Sequence, residues 1–194
     1  MRIGIYCGSF NPVHKGHIRI VNECLDQSLV DVVFIVPTGS YWDKNNLMDI
    51  NKRVSLLRYY EDRRIRIADQ YSEFPYTYQI FEKLEEDYPY DEKVLILGAD
   101  NIEKFDEWRE YRYLLKYDFI IIRRDDLDDG YIGKRMKELE KENYQILDIP
   151  NIDISSTFIR ENLDDYDKIK DLIDPHVYQF LIMERMANGT TSNN

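Results

Sequence analysis

The stretch YCGSFNPVHKGH, residues 6–17, sets two histidines three positions apart behind a glycine, a proline and a short apolar run. If a helix starts near His14, then His14 and His17 fall in its first turn and share a face, so both can address one group. Gly8 permits backbone conformations that other residues resist, and Pro12 stiffens the turn. The helix start leaves uncommitted N–H groups and the positive end of the dipole toward the loop, which favours an anion. Gly16 removes a side chain where a nucleotide would come close. An imidazole that donates to a phosphate oxygen gaining charge during transfer stabilises the transition state without abstracting a proton. A lone histidine would be read as an ordinary helix start, whereas a pair in this setting points to a ligand. A metal centre is the poorer reading, because the remaining histidine, His176, lies far along the chain, and no metal ligands are assigned.

A second cluster, ISSTFIR at residues 154–160, has the same character. Ser155 or Ser156 is a natural N-cap, and with Thr157 they offer hydroxyls and first-turn amides to a phosphate. Arg160, one turn in, adds a permanent planar charge. The alternative is an ordinary capped helix with a solvated arginine.

These residues need a frame. Six runs, RIGIYC, DVVFIVP, RIRIAD, KVLILGA, DFIIIRR and YQILDI, are nearly continuous in apolar or β-branched residues, as strands buried on both faces require. Helical patterns alternate with them: HKGHIRIVNECLDQSL, DINKRVSLLRYY, YTYQIFEKLEEDY and GKRMKELEKEN. The alternation predicts an α/β, Rossmann-like, doubly wound parallel sheet with ligands at the carboxyl ends of its strands. A closing helix from Pro175 through HVYQFLIMERM gives a small helical C-terminal part. One domain is expected over residues 1–186, with 187–194 a frayed, disordered tail. The long loops PTGSYWDKNNLM and SEFPYT follow strand ends and are where function would sit.

The totals bound the partners. The chain of 194 residues carries a formal charge of −11 and a pI near 4.8, so its bulk surface repels phosphate polymers and anionic lipid. No nucleic-acid and no membrane partner is expected. A small polyanion remains compatible, since a pocket needs only a few local cations. Cys7 and Cys24 read as reduced, buried thiols, which with the absence of a signal segment or a long apolar run predicts a soluble, cytoplasmic protein. Arg53, Arg123 and Arg124 stand near strand ends, where Arg123 or Arg124 could flank an adenine or a phosphate or simply face solvent. The acidic stretches RRDDLDDG and LDDYDKIKD look like solvated faces and helix caps.

GSFNPVHKGH resembles the G-x-F-D/N-P-x-H-x-G-H signature of the nucleotidylyltransferase superfamily, and ISSTFIR resembles its second signature, I-S-S-T-x-I/V-R. LGADNIEKFDEW, residues 97–108, and FPYTYQIF are similar to segments of the bacterial nicotinate-mononucleotide adenylyltransferases. The resemblance extends over most of residues 1–182. It implies adenylyl transfer from ATP to nicotinate mononucleotide, giving deamido-NAD and pyrophosphate in NAD biosynthesis. Catalytic roles then fall on His14, His17 and Arg160, and ATP contacts also on Gly8, Ser9, Phe10, Gly98, Asp100, Ser155, Ser156 and Thr157. Asp100 would accept from ribose hydroxyls. Trp108 would stack on the pyridine ring, and Tyr76 and Thr77 would hold its carboxylate. Mg2+ is implied with the triphosphate, held mainly by substrate oxygens, and a homo-oligomer is allowed. There are departures: where the family has a proline-histidine-lysine triplet, only Lys44 is available to neutralise phosphate. Arg109 replaces a common tyrosine, which bears on acid against amide selectivity, and Asn11 stands for aspartate. Nicotinamide mononucleotide or another phosphorylated acceptor is the nearest alternative, and a non-catalytic nucleotide sensor is the alternative of another class. An RNA-handling protein sharing the histidine motif fails on charge and on the lack of an anticodon-binding segment.

Overall fold

The computed structural model describes residues 1–39, 47–123, 127–150 and 154–190, with side chains described through Ala187. Six strands form one parallel sheet: β1 (Arg2–Gly8), β2 (Val32–Pro37), β3 (Ile65–Ile67), β4 (Glu92–Gly98), β5 (Asp118–Ile122) and β6 (Tyr144–Ile146). Their order is β3-β2-β1-β4-β5-β6. Each of the six apolar runs supplies a strand, as the sequence pattern predicts. The chain winds outward from β1 to β3, returns to β4 beside β1, and winds outward again. Between β1 and β4 the order reverses, and ligands bind such sheets in the crevice outside the carboxyl ends of those strands. Gly8 ends β1 and Gly98 ends β4, so both predicted glycines stand at that crevice.

Side chains alternate between two cores, one on each face. Ile35, Ile96 and Ile120 pack beneath α1 (Lys15–Asp26), α2 (Ile50–Arg58) and the C-terminal helices α7 (Ser156–Glu161), α8 (Tyr166–Ile169) and α9 (Pro175–Thr190). Phe34, Leu95 and Phe119 pack on the other face with α3 (Thr77–Asp87), α4 (Ala99–Glu103), α5 (Tyr111–Leu114) and α6 (Asp129–Glu138). Burial on both faces is why the strands read as continuous apolar runs. Cys7 and Cys24 are unpaired by any disulfide, and burial pushes both thiols up to about 12, so they are thiols near neutral pH.

Three boundaries differ from the sequence reading. Helix α6 starts at Asp129 rather than at Gly133, because the Asp128 side chain caps it by accepting from the Tyr131 N–H at 2.8 Å. It stops before EKEN because Glu140 turns left-handed (φ 55°) while the Glu140 and Lys141 N–H groups bond back to the Lys137 and Met136 carbonyls, a double C-terminal closure. Helix α9 runs to Thr190, past the Ala187 boundary at which the tail was expected, and 191–194 lie outside the described residues. The segment 97–108 also holds α4 and a 3-10 turn at Phe105–Glu107, which its short spacing did not announce.

That turn hangs on Phe105, which is fully buried against Phe119 (centroids 5.2 Å) and Trp108 (5.1 Å). Phe105→Ala is expected to cost about 3–5 kcal/mol, the range for truncating a buried aromatic. Chemical denaturation measures it, and a loss below about 1 kcal/mol would mean that the turn is not anchored there.

Candidate active site

At the carboxyl end of β1 the chain reverses through Ser9 and Phe10. Phe10 adopts φ 45°, a left-handed conformation rare outside glycine, and is 2% exposed. Its ring folds back under Gly8, where an added Cβ would meet it at 3.1 Å. It also meets Tyr6 edge-on (5.4 Å) and His17 edge-on (4.9 Å). Gly8 therefore serves the close approach of the Phe10 ring, where a side chain would crowd it.

His14 is the N-cap of α1 and His17 its third residue, as the sequence spacing predicts. The two rings stack at 3.6 Å with 22° between planes. The His14 backbone N–H donates to His17 Nδ1 at 3.2 Å. An Nδ1 that accepts carries no proton, so in the neutral ring the hydrogen sits on Nε2, and His17 presents a donor. The two histidines are unequal: His17 lines a cleft, while His14 is 2% exposed and backs it. Among the described residues no set of three His, Cys, Asp or Glu side chains could hold a metal ion.

The second cluster docks on the first. Ser155 caps α7, its hydroxyl accepting from the Phe158 N–H at 3.1 Å. The Ser156 hydroxyl donates to the Pro12 carbonyl at 2.9 Å, and Arg160 Nη1 donates to the Asn11 carbonyl at 2.5 Å. Arg160 Nη2 also donates to Thr157 Oγ1 at 3.2 Å. The serine hydroxyls, expected to face phosphate, thus bond protein groups: Ser155 caps its own helix, and Ser156 reaches the loop of the first motif because α7 packs on it. The Lys15 N–H to Leu172 carbonyl bond (2.9 Å) adds a third tie between the start of α1 and the C-terminal part.

Two clefts open at this edge. The larger, about 630 Å³, is walled by Gly8, Ser9, Gly39, Tyr76, Thr77 and Trp108, among others. The smaller, about 250 Å³, takes in Ser9, Phe10, His17, Gly98, Asp100 and Trp108. Cys7, Gly8, Ser9, Asn101 and Trp108 border both. Tyr76 is the N-cap of α3, so the amides of that helix's first turn lie at the larger cleft. The Arg109 guanidinium lies over the Tyr76 ring at 5.1 Å, so the predicted pyridine-side residues Tyr76, Thr77, Trp108 and Arg109 come together. Lys44 and Arg124 lie outside the described residues. Arg123 borders neither cleft: it pairs with Asp129 at 2.6 and 2.9 Å and donates to the Leu147 carbonyl at 3.0 Å.

Residues 5–162 match the family described as Cytidylyltransferase-like. The chain belongs to that family. A protein of Flavobacterium johnsoniae named "Probable nicotinate-nucleotide adenylyltransferase" is 30% identical over 93% of this chain and 96% of its own length. One of the same name from Bacteroides thetaiotaomicron is 32% identical over 100% and 96%. In fold, the chain is similar to Plasmodium falciparum nicotinic acid mononucleotide adenylyltransferase complexed with NaAD, with a TM-score of 0.81, 24% identity and coverage of 96% and 97%. Both signature clusters fall inside the cytidylyltransferase-like match.

Sequence reasoning assigned no role to several groups at this edge, although it noted Arg53 near a strand end. Asn101 and Glu107 border the larger cleft, and Arg53 is buried behind it at 2% exposure. Burial lowers the pKa of Arg53 from its ordinary value, with Asp49 opposing the shift. An arginine inside an amphipathic helix was the available signal, since the other basic residues of α2 pair at the surface, Lys52 with Glu184 and Arg58 with Asp69.

His17→Ala, which removes the donor and leaves the fold, is expected to lower turnover by about two or more orders of magnitude. Steady-state kinetics on a variant with an unchanged melting temperature checks it, and wild-type turnover would refute the role.

Proposed function

We propose that this chain transfers the adenylyl group of ATP to nicotinate mononucleotide, yielding deamido-NAD and pyrophosphate in NAD biosynthesis. The observation that carries the reading is the convergence of an aromatic, amide-lined cleft and a histidine-bearing cleft on one shared wall. The first suits a flat anionic ring and the second a polyphosphate. Full-length similarity to named nicotinate-nucleotide adenylyltransferases supports the same reading.

In this reading an oxygen of the acceptor phosphate attacks the α-phosphorus of ATP in line. The bond to that oxygen forms as the bond to the β-phosphate bridging oxygen breaks, and pyrophosphate leaves with its electron pair. No covalent enzyme intermediate is involved. The protein supplies alignment and charge stabilisation. The His17 Nε2–H donates to a non-bridging oxygen as charge accumulates, and His14 holds the ring that does so. Arg160 adds a fixed positive charge beside the turn, and Asp100 takes ribose hydroxyls. Trp108 stacks on the pyridine ring while the α3 amides near Thr77 take its carboxylate, with Arg109 adding charge of the matching sign. Among the described residues Asp100 is the single carboxylate bordering the smaller cleft, so the lining offers no carboxylate cage, which fits an Mg2+ held mainly by phosphate oxygens and water. When bound, Mg2+ supplies neutralisation of the triphosphate. No helix among the described residues is long and apolar enough to cross a membrane. We place the reaction in the cytoplasm, with no nucleic-acid or membrane partner.

Pyrophosphate release from ATP, with nicotinate mononucleotide, nicotinamide mononucleotide and phosphopantetheine offered separately, tests the reading. Release with the first acceptor at the highest kcat/KM is expected, and no release with any would leave the nucleotide-sensor alternative. Trp108→Ala should weaken mononucleotide binding by roughly ten-fold or more, the size of a lost aromatic stack in a desolvated site, while sparing ATP. Equal losses for both ligands, by calorimetry, would count against stacking.

A further inference from the structure

Arg53 is a buried cation whose hydrogen-bond partners among the described residues are all backbone oxygens. Its Nη1 donates to the carbonyls of Ser9 (2.7 Å) and Thr38 (2.8 Å), and its Nε donates to the Met48 carbonyl (2.9 Å). Among the described residues no carboxylate forms an ion pair with it, and the nearby Asp49 carboxylate is used to cap α2 through the Asn51 N–H. Burying a charge against neutral carbonyls costs desolvation that a well-packed Leu or Met would avoid. The arrangement asks for a reason beyond packing.

The peptide plane supplies one. The Ser9–Phe10 and Thr38–Gly39 bonds are trans, so in each the N–H points opposite to the carbonyl. Arg53 draws both carbonyls to the buried side through a single nitrogen, which brings the two peptide units side by side at the ends of β1 and β2. The Thr38 N–H bond to the Gly8 carbonyl (2.8 Å) locks the same pair of strand ends. The open side of both units is the cleft: Ser9 and Gly39 border the larger cleft, Phe10 borders the smaller beside His17, and a Cβ added to Gly39 would meet nothing within 4 Å.

We propose that Arg53 is a positioning residue which, by holding the Ser9 and Thr38 carbonyls on the buried side, turns the Phe10 and Gly39 N–H groups outward as a pair that takes the phosphate of the acceptor nucleotide. This rests on the adenylyl-transfer reading. The guanidinium touches no substrate. It acts through two amides, and it places the acceptor phosphate at the wall the two clefts share, next to the His17 donor.

The test compares nicotinate mononucleotide with nicotinate riboside, which has the same ring and sugar but no phosphate, as ligands of the wild type, Arg53→Met and Arg53→Lys. In the wild type the mononucleotide should bind at least about ten-fold tighter than the riboside, as hydrogen bonds to a charged group require. Wild-type binding of the two alike would overturn the proposal without any variant. Arg53→Met should erase most of that ratio by weakening the mononucleotide alone, and Arg53→Lys, which keeps the charge but not the fork, should fall between. Should Arg53→Met fail to fold, Arg53→Lys carries the comparison. A loss shared equally by both ligands would mean a merely structural role, and an unchanged ratio would mean no role. A wild type that releases no pyrophosphate with any acceptor sinks the adenylyl-transfer reading. An active wild type whose variants keep the ratio sinks only the role of Arg53.

Discussion

The carboxyl edge of this sheet depends on the contact between Gly8 and the Phe10 ring. Without a side chain at Gly8, the ring folds back beneath the strand end, and the left-handed backbone at Phe10 (φ 45°) reverses the chain within two residues. The same ring then stands edge-on to His17 at 4.9 Å, so the turn and the orientation of the imidazole have one cause. A wider turn would carry α1 away from the crevice between β1 and β4, and its first-turn amides with it. A non-glycine residue in that backbone region costs of order 1–3 kcal/mol, which burial of the whole Phe10 ring offsets.

Around that contact the chain is tied from three sides. Ser156 and Arg160 hold the Pro12 and Asn11 carbonyls, the Leu172 carbonyl takes the Lys15 N–H, and Arg53 holds the Ser9 carbonyl. Residues more than 140 positions apart in sequence thereby fix one loop. Preorganisation of this kind is what a phosphoryl-transfer site needs, because such an enzyme contributes position and charge and little covalent chemistry. The polar groups bonded to the loop's carbonyls leave its opposite side, where the amides point, for a ligand.

Much of this was legible beforehand. The six strands could be read because a sheet covered on both faces writes near-continuous apolar runs, and β1 to β6 each carry one. The first-turn pair His14 and His17, the cap at Ser155 and the start of α9 at Pro175 follow from local rules of helix ends, which depend on a few adjacent residues. Where the reading went astray, some of the deciding bonds were local ones it missed and others were made by packing. The Asp128 cap and the left-handed Glu140 moved both ends of α6. The Phe105 turn is held by its contact with Phe119 of β5, and the short α4 by packing on β4 and α6, rather than by their own periodicity.

The sequence by itself determined the alternation of strand and helix, the two signature clusters and the kind of ligand they suit, since each is a matter of residue type at short spacing. Tertiary structure decided which of those groups face the cleft. His17 borders it and His14 backs it, because one ring is stacked behind the other. Ser156 turns its hydroxyl to protein, because α7 packs on the Pro12 loop. Arg123 is spent on Asp129 and the Leu147 carbonyl, while Arg53, which looks like any helical arginine, becomes the buried anchor of two strand ends. No local rule states these outcomes, because each depends on which distant carbonyl or ring the completed sheet brings within reach.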